Sequence, residues 1–458
     1  MDFARYRPHL IATLALGLPL IGSHLARMAI GLTDTLMISW YGVEALGALV
    51  IATSLFFIIQ MLGSGFGIGV MGLLASAHAR GDDTEMRRAT RMALWLSSIH
   101  AMIAMPFLWF SKPILLALGQ TDMIASLAQD YLRIAGWGIL PVLWMMVLNS
   151  YLAAMERTQV ILWITVAGIP LNILFNWCLI FGNWGFPELG VQGAAIASVS
   201  TQTLGMAAIL AYALWLPEAR RFNLMQRFWK PDWHAFRAIF ALGMPVGLTL
   251  VAEVGMFVGA NLMMGWIGTL ELGAHGIALQ IASVTFMVQL GLANAATIRV
   301  GQMVARDDGA GMRDAAATVL SLSLIFALLS VALFLLAPRT LIGLYLDFSQ
   351  PEAAAVMALA VGFLVWAALF QLTDALQVVG LGLLRGAQDT RVPMWLAAIS
   401  YWLIGLPAGY VLAFPLGMGG AGLWLGLVIG LSVASVLMLR RFYRGLARGD
   451  WTPPLQTG

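Results

Sequence analysis

This chain has very little charge for its length. Only 10% of its 458 residues are Asp, Glu, Lys or Arg, 60% are hydrophobic, and the mean hydropathy is +0.86. A water-soluble globule needs far more polar surface than that, so the chain is an integral membrane protein. Its single cysteine, Cys178, excludes an intramolecular disulfide and any cysteine-based redox or metal motif. Its few histidines include His24, His100 and His275 in or near apolar stretches, without ligand spacing, and these read as packing residues. No basic patch suggests nucleic acid. The first apolar run is too long for a signal-peptide core and lacks a small-residue cleavage site, so it is expected to remain as a helix.

What is present is long, apolar and repeated. Gly17-Leu18-Pro19 answers Gly243-Met244-Pro245, Trp40-Tyr41-Gly42 answers Trp266-Ile267-Gly268, Leu46-Gly47-Ala48 answers Leu272-Gly273-Ala274, and Ala79-Arg80 answers Ala305-Arg306. All share one offset, 245 − 19 = 226, and Leu189 to Ala194 matches Leu416 to Ala421 at 416 − 189 = 227. The fold class expected is therefore an all-α membrane protein of two pseudo-symmetric six-helix lobes, the usual frame of an alternating-access transporter.

Apolar runs long enough to cross about 30 Å of hydrocarbon lie around 10–38, 46–78, 92–117, 127–154, 160–181 and 190–215, then 237–266, 271–304, 315–337, 354–383, 393–413 and 420–440. Their length and continuous Leu, Ala, Met and Gly content exclude the short alternating strands of a β-barrel. Basic residues gather in alternate loops: Arg5 and Arg7; Arg80, Arg87, Arg88 and Arg91; Arg157; Arg220 to Arg237; Arg306 and Arg313; Arg385 and Arg391; Arg440 to Arg448. Lys112 and Arg339 alone fall on the other side, so both termini are expected in the cytoplasm, and the net charge of +3 reports orientation. The expected divisions are a first lobe at 1–216, a cytoplasmic linker at 217–234, a second lobe at 235–441 and a loosely ordered cytoplasmic tail at 442–458.

Gly63, Gly65, Gly67, Gly69 and Gly72 put small residues four apart on the second helix, which suits close helix packing. A phosphate-cradling loop would need a preceding strand and an exposed helix start, and neither is there. Pro19, Pro141, Pro170, Pro245 and Pro407 interrupt spans and free backbone carbonyls.

The chemistry sits in three acids inside apolar helices, Asp34, Glu253 and Asp374. A carboxylate at mid-bilayer costs roughly 2.5 to 3.5 kcal/mol by insertion scales, so such groups are expected to face an ion, a cavity or each other. They are not symmetry mates: at the 226 offset Glu253 corresponds to Arg27 and Asp34 to Ala260. Arg27 stands seven residues, two turns, before Asp34, so it either tempers the field at that acid or packs in a helix crevice. Asn172 and Asn176, one turn apart, suit a polar pocket with Asp34 or act as interhelical glue. Around the other two acids Gln280, Gln289, Asn294, Gln371, Thr373 and Gln377 supply neutral oxygens, and Glu253 with Asp374 suits either Na⁺, as a metal site, or a proton.

The chain resembles the multidrug and toxic compound extrusion (MATE) family, in its bacterial NorM-like branch, over nearly its whole length. The likeness rests on Thr33-Asp34-Thr35-Leu36-Met37, Ile298-Arg299-Val300-Gly301-Gln302, Gln371-Leu372-Thr373-Asp374-Ala375-Leu376-Gln377 and Leu384-Arg385-Gly386. The resemblance implies a V-shaped pair of lobes that exports hydrophobic organic cations against inward Na⁺ or H⁺, with no other cofactor. It implies cation-coupling roles for Glu253 and Asp374 and a first-lobe polar site of Asp34, Asn172 and Asn176. A monomer in a bacterial inner membrane is expected. Two residues depart from the pattern: Phe370 stands where the branch often has a tyrosine, which removes a hydroxyl ligand, and Arg27 replaces a neutral polar residue. The alternatives fit less well. A lipid-linked saccharide flippase needs several cavity arginines, and only Arg27 and Arg299 qualify. An intramembrane aspartyl protease needs Gly-x-Gly-Asp, where this chain has Gly31-Leu32-Thr33-Asp34.

Overall fold

The computed structural model describes residues 3–215, 223–349 and 351–451. Residues 217–222 of the expected linker and 452–458 of the expected tail lie outside these. Among the described residues there is no strand, and twelve helices are long and apolar enough to cross a bilayer. They are α1 (Arg5–Tyr41), α2 (Glu44–Arg80), α3 (Asp83–Trp109), α4 (Asp122–Ala154), α5 (Thr158–Phe181), α6 (Gly190–Trp215), α7 (Trp233–Ile267), α8 (Thr269–Ala305), α9 (Gly309–Leu336), α10 (Ala353–Gly386), α11 (Arg391–Ala413) and α12 (Gly419–Arg448).

Helices alone suit such a chain because each satisfies its own backbone in a medium without water. Their starts follow local chemistry. The Asp82 carboxylate caps α3 by accepting from the Glu85 N–H at 2.9 Å, and its repeat mate Asp308 caps α9 by accepting from the Gly311 N–H at 2.7 Å. Just ahead of them, Gly81 (φ 70°) and its mate Asp307 (φ 51°) both take the left-handed conformation that ends the preceding helix. The third span begins earlier than the expected 92 and stops at Trp109, because this cap sets its start and a separate short helix, Ser111–Ala117, follows Phe110. Two spans are locally rewound: α4 by a 3₁₀ turn at Gly136–Gly138, and α11 by a π-helical turn at Ile399–Gly405.

The described contacts group into two compact units, one of Gly22–Gly247 and one of Met1–Ile21 with Leu248–Gly458. The divisions fall inside α1 and α7, a few residues after Pro19 and Pro245, rather than at the linker where the sequence places its lobe boundaries. Glycines explain the grouping. In the first unit the opening of α7 lies on α2 so closely that a Cβ on Gly65 would stand 2.3 Å from both the Gly243 oxygen and the Gly247 nitrogen. In the second unit the repeat mate of Gly65, Gly291 on α8, admits α1: a Cβ there would stand 2.8 Å from the Ile21 nitrogen. Each exchanged segment is also pinned by an ion pair. The Arg88 guanidinium donates from Nε to Asp232 Oδ2 at 2.5 Å, and Arg5 donates in a fork to Asp314 at 2.7 and 2.8 Å. Arg88 and Asp314 are repeat mates (314 − 88 = 226), so the two units make the same tie with opposite polarity. Arg88 holds the Asp232 carboxyl below its ordinary value.

Three expectations drawn from loop charges change. Arg91 is buried in α3, where it donates to the Arg227 carbonyl at 2.8 Å and so docks the linker. Arg385 is buried because α10 continues to Gly386. The tail is helical through Arg448, after which the Trp451 indole donates to the Phe442 carbonyl at 3.0 Å.

Within the second unit, α11 and α12 cross at glycines on both sides: a Cβ on Gly426 would lie 2.3 Å from the Gly409 Cα, whereas one on Gly362 would meet nothing within 4 Å. Gly426→Ala is therefore expected to destabilise the protein by about 1–3 kcal/mol through forced separation of two backbones. Gly362→Ala is expected to be neutral or slightly stabilising. Thermal melts of both variants in one detergent check this; equal melting temperatures would contradict the packing described.

Candidate functional site

The three membrane acids fall in two places, one in each unit. In the first unit Asp34 sits two turns before the end of α1, half-buried. Its Oδ1 accepts from Asn172 Nδ2 at 3.0 Å and from Asn176 Nδ2 at 2.6 Å, both on α5, and its Oδ2 accepts from Ser198 Oγ of α6 at 2.7 Å. Asn176 Nδ2 also lies 3.2 Å from Asn172 Oδ1, so the two amides, one turn apart and fully buried, form one donor face toward the carboxylate. Tyr131 of α4 stands behind, hydrogen-bonded with Ser198 and within electrostatic reach of Asp34. Three donors on one carboxylate offset part of the cost of burying it.

Arg27 does not join it. No hydrogen bond or ion pair among the described residues links Arg27 to Asp34; Arg27 is half-buried next to His24 with its Nε buried and unpartnered. The two-turn spacing brings the residues to one helix, but the acid is already taken by α5 and α6.

In the second unit Glu253 of α7 and Asp374 of α10 are both buried and within electrostatic reach of one another. Arg385, further along α10, faces Glu253, and Tyr401 of α11 faces both acids. Here the chemistry is reversed. Both carboxylate oxygens of Asp374 are buried without a hydrogen-bond donor, and so are Gln371 Oε1 and Gln377 Oε1, three residues to either side on the same helical face. Each glutamine has its N–H end committed elsewhere: Gln371 Nε2 donates to the Ala282 carbonyl at 3.2 Å, and Gln377 Nε2 donates to Tyr401 Oη at 2.5 Å. Four buried acceptor oxygens thus look for a donor or a cation, at a cost of about 1–3 kcal/mol for each neutral one left unmet.

The other candidates show bonds of their own or lie half-buried on α8. Gln289 is buried but paired with Ser323, donating from Nε2 to its carbonyl at 3.1 Å and accepting from its Oγ at 2.5 Å, which fastens α8 to α9. Thr373 Oγ1 donates to the Phe370 carbonyl at 3.0 Å on its own helix. Gln280 and Asn294 are half-buried on α8, and Gln280's carbonyl accepts from Ser283. Ser198, Tyr131 and Tyr401 were not singled out in the sequence, where nothing in their spacing separates them from other hydroxyls in apolar helices. No group of three or more His, Cys, Asp or Glu among the described residues has the arrangement of a metal site.

Twelve spans among the described residues, a repeated half and acids held within the membrane define a secondary-transporter scaffold. A model of the MatE family matches the chain twice, over residues 19–178 and 245–411, and the two matches start 245 − 19 = 226 residues apart. The chain is 46% identical over 445 residues to the "Probable multidrug resistance protein NorM" of Rhizobium meliloti, covering 97% of this chain and 95% of that one. It is 42% identical over 434 residues to the protein of the same name from Agrobacterium fabrum, covering 95% and 93%. Among solved structures it is similar to an outward-facing multidrug resistance MATE family transporter of the MOP superfamily (TM-score 0.87, 20% identity, 96% and 97% covered). It is also similar to the eukaryotic MATE transporter AtDTX14 (TM-score 0.85, 17% identity, 97% and 98% covered). The chain belongs to the MATE family, whose members are transporters and not enzymes.

The first-unit cluster makes a direct prediction. Asn176→Ala is expected to cost about 1.5–3 kcal/mol, the value of a hydrogen bond to a charged group, and almost nothing once Asp34→Ala has removed the acceptor. A double-mutant cycle in thermal melts measures the difference; equal costs in both backgrounds would show that Asn176 serves packing alone.

Proposed function

We propose that this chain is a multidrug efflux transporter that exports hydrophobic organic cations across a bacterial cytoplasmic membrane by alternating access, in exchange for inward Na⁺ or H⁺. The observation that carries the reading is Asp374. Its carboxylate is buried in a membrane helix beside a second acid, with no donor on either oxygen. A proton or a small hard cation satisfies such a group, and neither a permanent hydrogen bond nor a fixed positive partner occupies it. Glu253 and Asp374 together are the coupling pair in this reading, with Gln371 and Gln377 as neutral oxygens of the same site. Asp34, held by Asn172, Asn176 and Ser198, is a second group that exchanges a proton or meets the positive charge of the substrate. The names of the relatives support drugs as the cargo, and the abundance of Met and aromatic side chains suits varied apolar molecules. The alternation of basic loops supports cytoplasmic termini.

Purified protein in liposomes, given a fluorescent lipophilic cation and then either a Na⁺ or a proton gradient, tests the reading. Gradient-driven transport is expected. Glu253→Gln and Asp374→Asn are each expected to reduce it by about tenfold or more, and the double variant is expected to be no worse than either, because one shared cation makes the losses non-additive. Independent, multiplying losses would argue for two separate sites. Absence of transport under both gradients from well-inserted protein would reject drug export and favour lipid transport.

A further inference from the structure

The π-helical turn of α11 ties both acid-bearing helices of the second unit together through two consecutive side chains. Its cause is local: Pro407 has no N–H to offer the Leu403 carbonyl one turn back, and Gly405 is pressed against α12, where a Cβ would stand 3.1 Å from the Gly430 Cα. Within this turn Trp402 donates its indole N–H to the Ala252 carbonyl of α7 at 3.0 Å, immediately before Glu253, and its ring covers Gly255. Tyr401, fully buried, accepts from Gln377 Nε2 of α10 at 2.5 Å, three residues after Asp374.

A phenol oxygen has two lone pairs and one proton to give. The Gln377 amide takes one lone pair, leaving the O–H and the second lone pair of Tyr401 for the acid cluster. The titratable and charged groups that face it are Glu253 on α7 and Asp374 and Arg385 on α10. Asp374 and Gln377 Oε1 are the acceptors there that lack donors.

We propose that Tyr401 is a specificity-determining residue for the coupling cation: its hydroxyl, held by Gln377 beside the acid pair, turns its free lone pair to Na⁺ when the ion enters. A proton settling on Asp374 or Glu253 needs no such oxygen, whereas Na⁺ needs several. The hydroxyl therefore favours Na⁺ over H⁺ at a site that both can occupy. This rests on the coupling role of Glu253 and Asp374 proposed above.

Tyr401→Phe keeps the ring and deletes the hydroxyl. In proteoliposomes, the Na⁺ concentration giving half-maximal dye transport is expected to rise about tenfold, the loss of one oxygen from a charged partner, while transport driven by a proton gradient stays within about twofold. The pH profile at fixed low Na⁺ is expected to shift toward proton-driven transport, a change that a merely structural role would not produce. Trp402→Phe, which removes the tie to the Ala252 carbonyl and part of the cover over Gly255 but no oxygen of the site, is the control: it is expected to lower thermal stability and leave the Na⁺ to H⁺ ratio unchanged. Should Tyr401→Phe reduce both modes equally, or neither, the proposal is overturned. A wild-type protein driven by protons and indifferent to Na⁺ also overturns it while leaving the coupling pair intact. A wild type driven by neither gradient removes the coupling reading itself.

Discussion

Inside hydrocarbon no water repairs an unmet polar group, and that constraint orders every part of this molecule. Backbone groups answer it by forming twelve span-length helices among the described residues. Side chains answer it in two ways. Around Asp34 the protein supplies three donors, which offset part of the cost of burying its carboxylate. Around Asp374 neither carboxylate oxygen meets a donor among the described residues, so its burial is not offset by a hydrogen bond. An acid left unmet can take up a cation in one state and give it back in another, which is what the coupling reading asks of Asp374.

The contrast is sharper for occurring in a repeated chain. Packing devices are held in common: Gly65 and Gly291, Asp82 and Asp308, and Gly81 with Asp307 stand at one offset and play matching parts. Acids and their neighbours are not. A backbone frame constrains its residues through steric limits that are the same in both halves, whereas charge placement is limited only by the few residues within hydrogen-bonding distance. The halves therefore diverge in chemistry while keeping their scaffold.

Much of this was legible beforehand. Hydrophobic length revealed the spans, one offset revealed the duplication, and the cost of burying a carboxylate singled out Asp34, Glu253 and Asp374. Asn172 and Asn176 were legible because a one-turn spacing puts both amides on a single face. Other parts were hidden for physical reasons. Ser198 and Tyr131 reach Asp34 from helices whose relative rotation no single-helix pattern reveals. Tyr401 comes into place through a π turn, which breaks the 3.6-residue period that such patterns assume. Gln289 looked like a ligand and serves as a fastener, since an amide pairs as readily with a serine hydroxyl as with an ion. The lobe boundaries drawn at the linker and the grouping of contacts differ because a linker records where the chain is exposed to water, whereas contacts record where glycines let backbones approach.

The opposed ion pairs also bear on how the protein is made. Asp232 is 144 residues from its partner Arg88, whereas Arg5 is 309 residues from Asp314. Synthesis delivers Arg5 first and Asp314 only after about two-thirds of the chain has followed, so the Arg88–Asp232 tie can close before the Arg5–Asp314 tie does. At the repeat-equivalent of Asp314 stands Arg88, a like charge to Arg5, so the reversed polarity offers the first-made segment no ion pair in the wrong half.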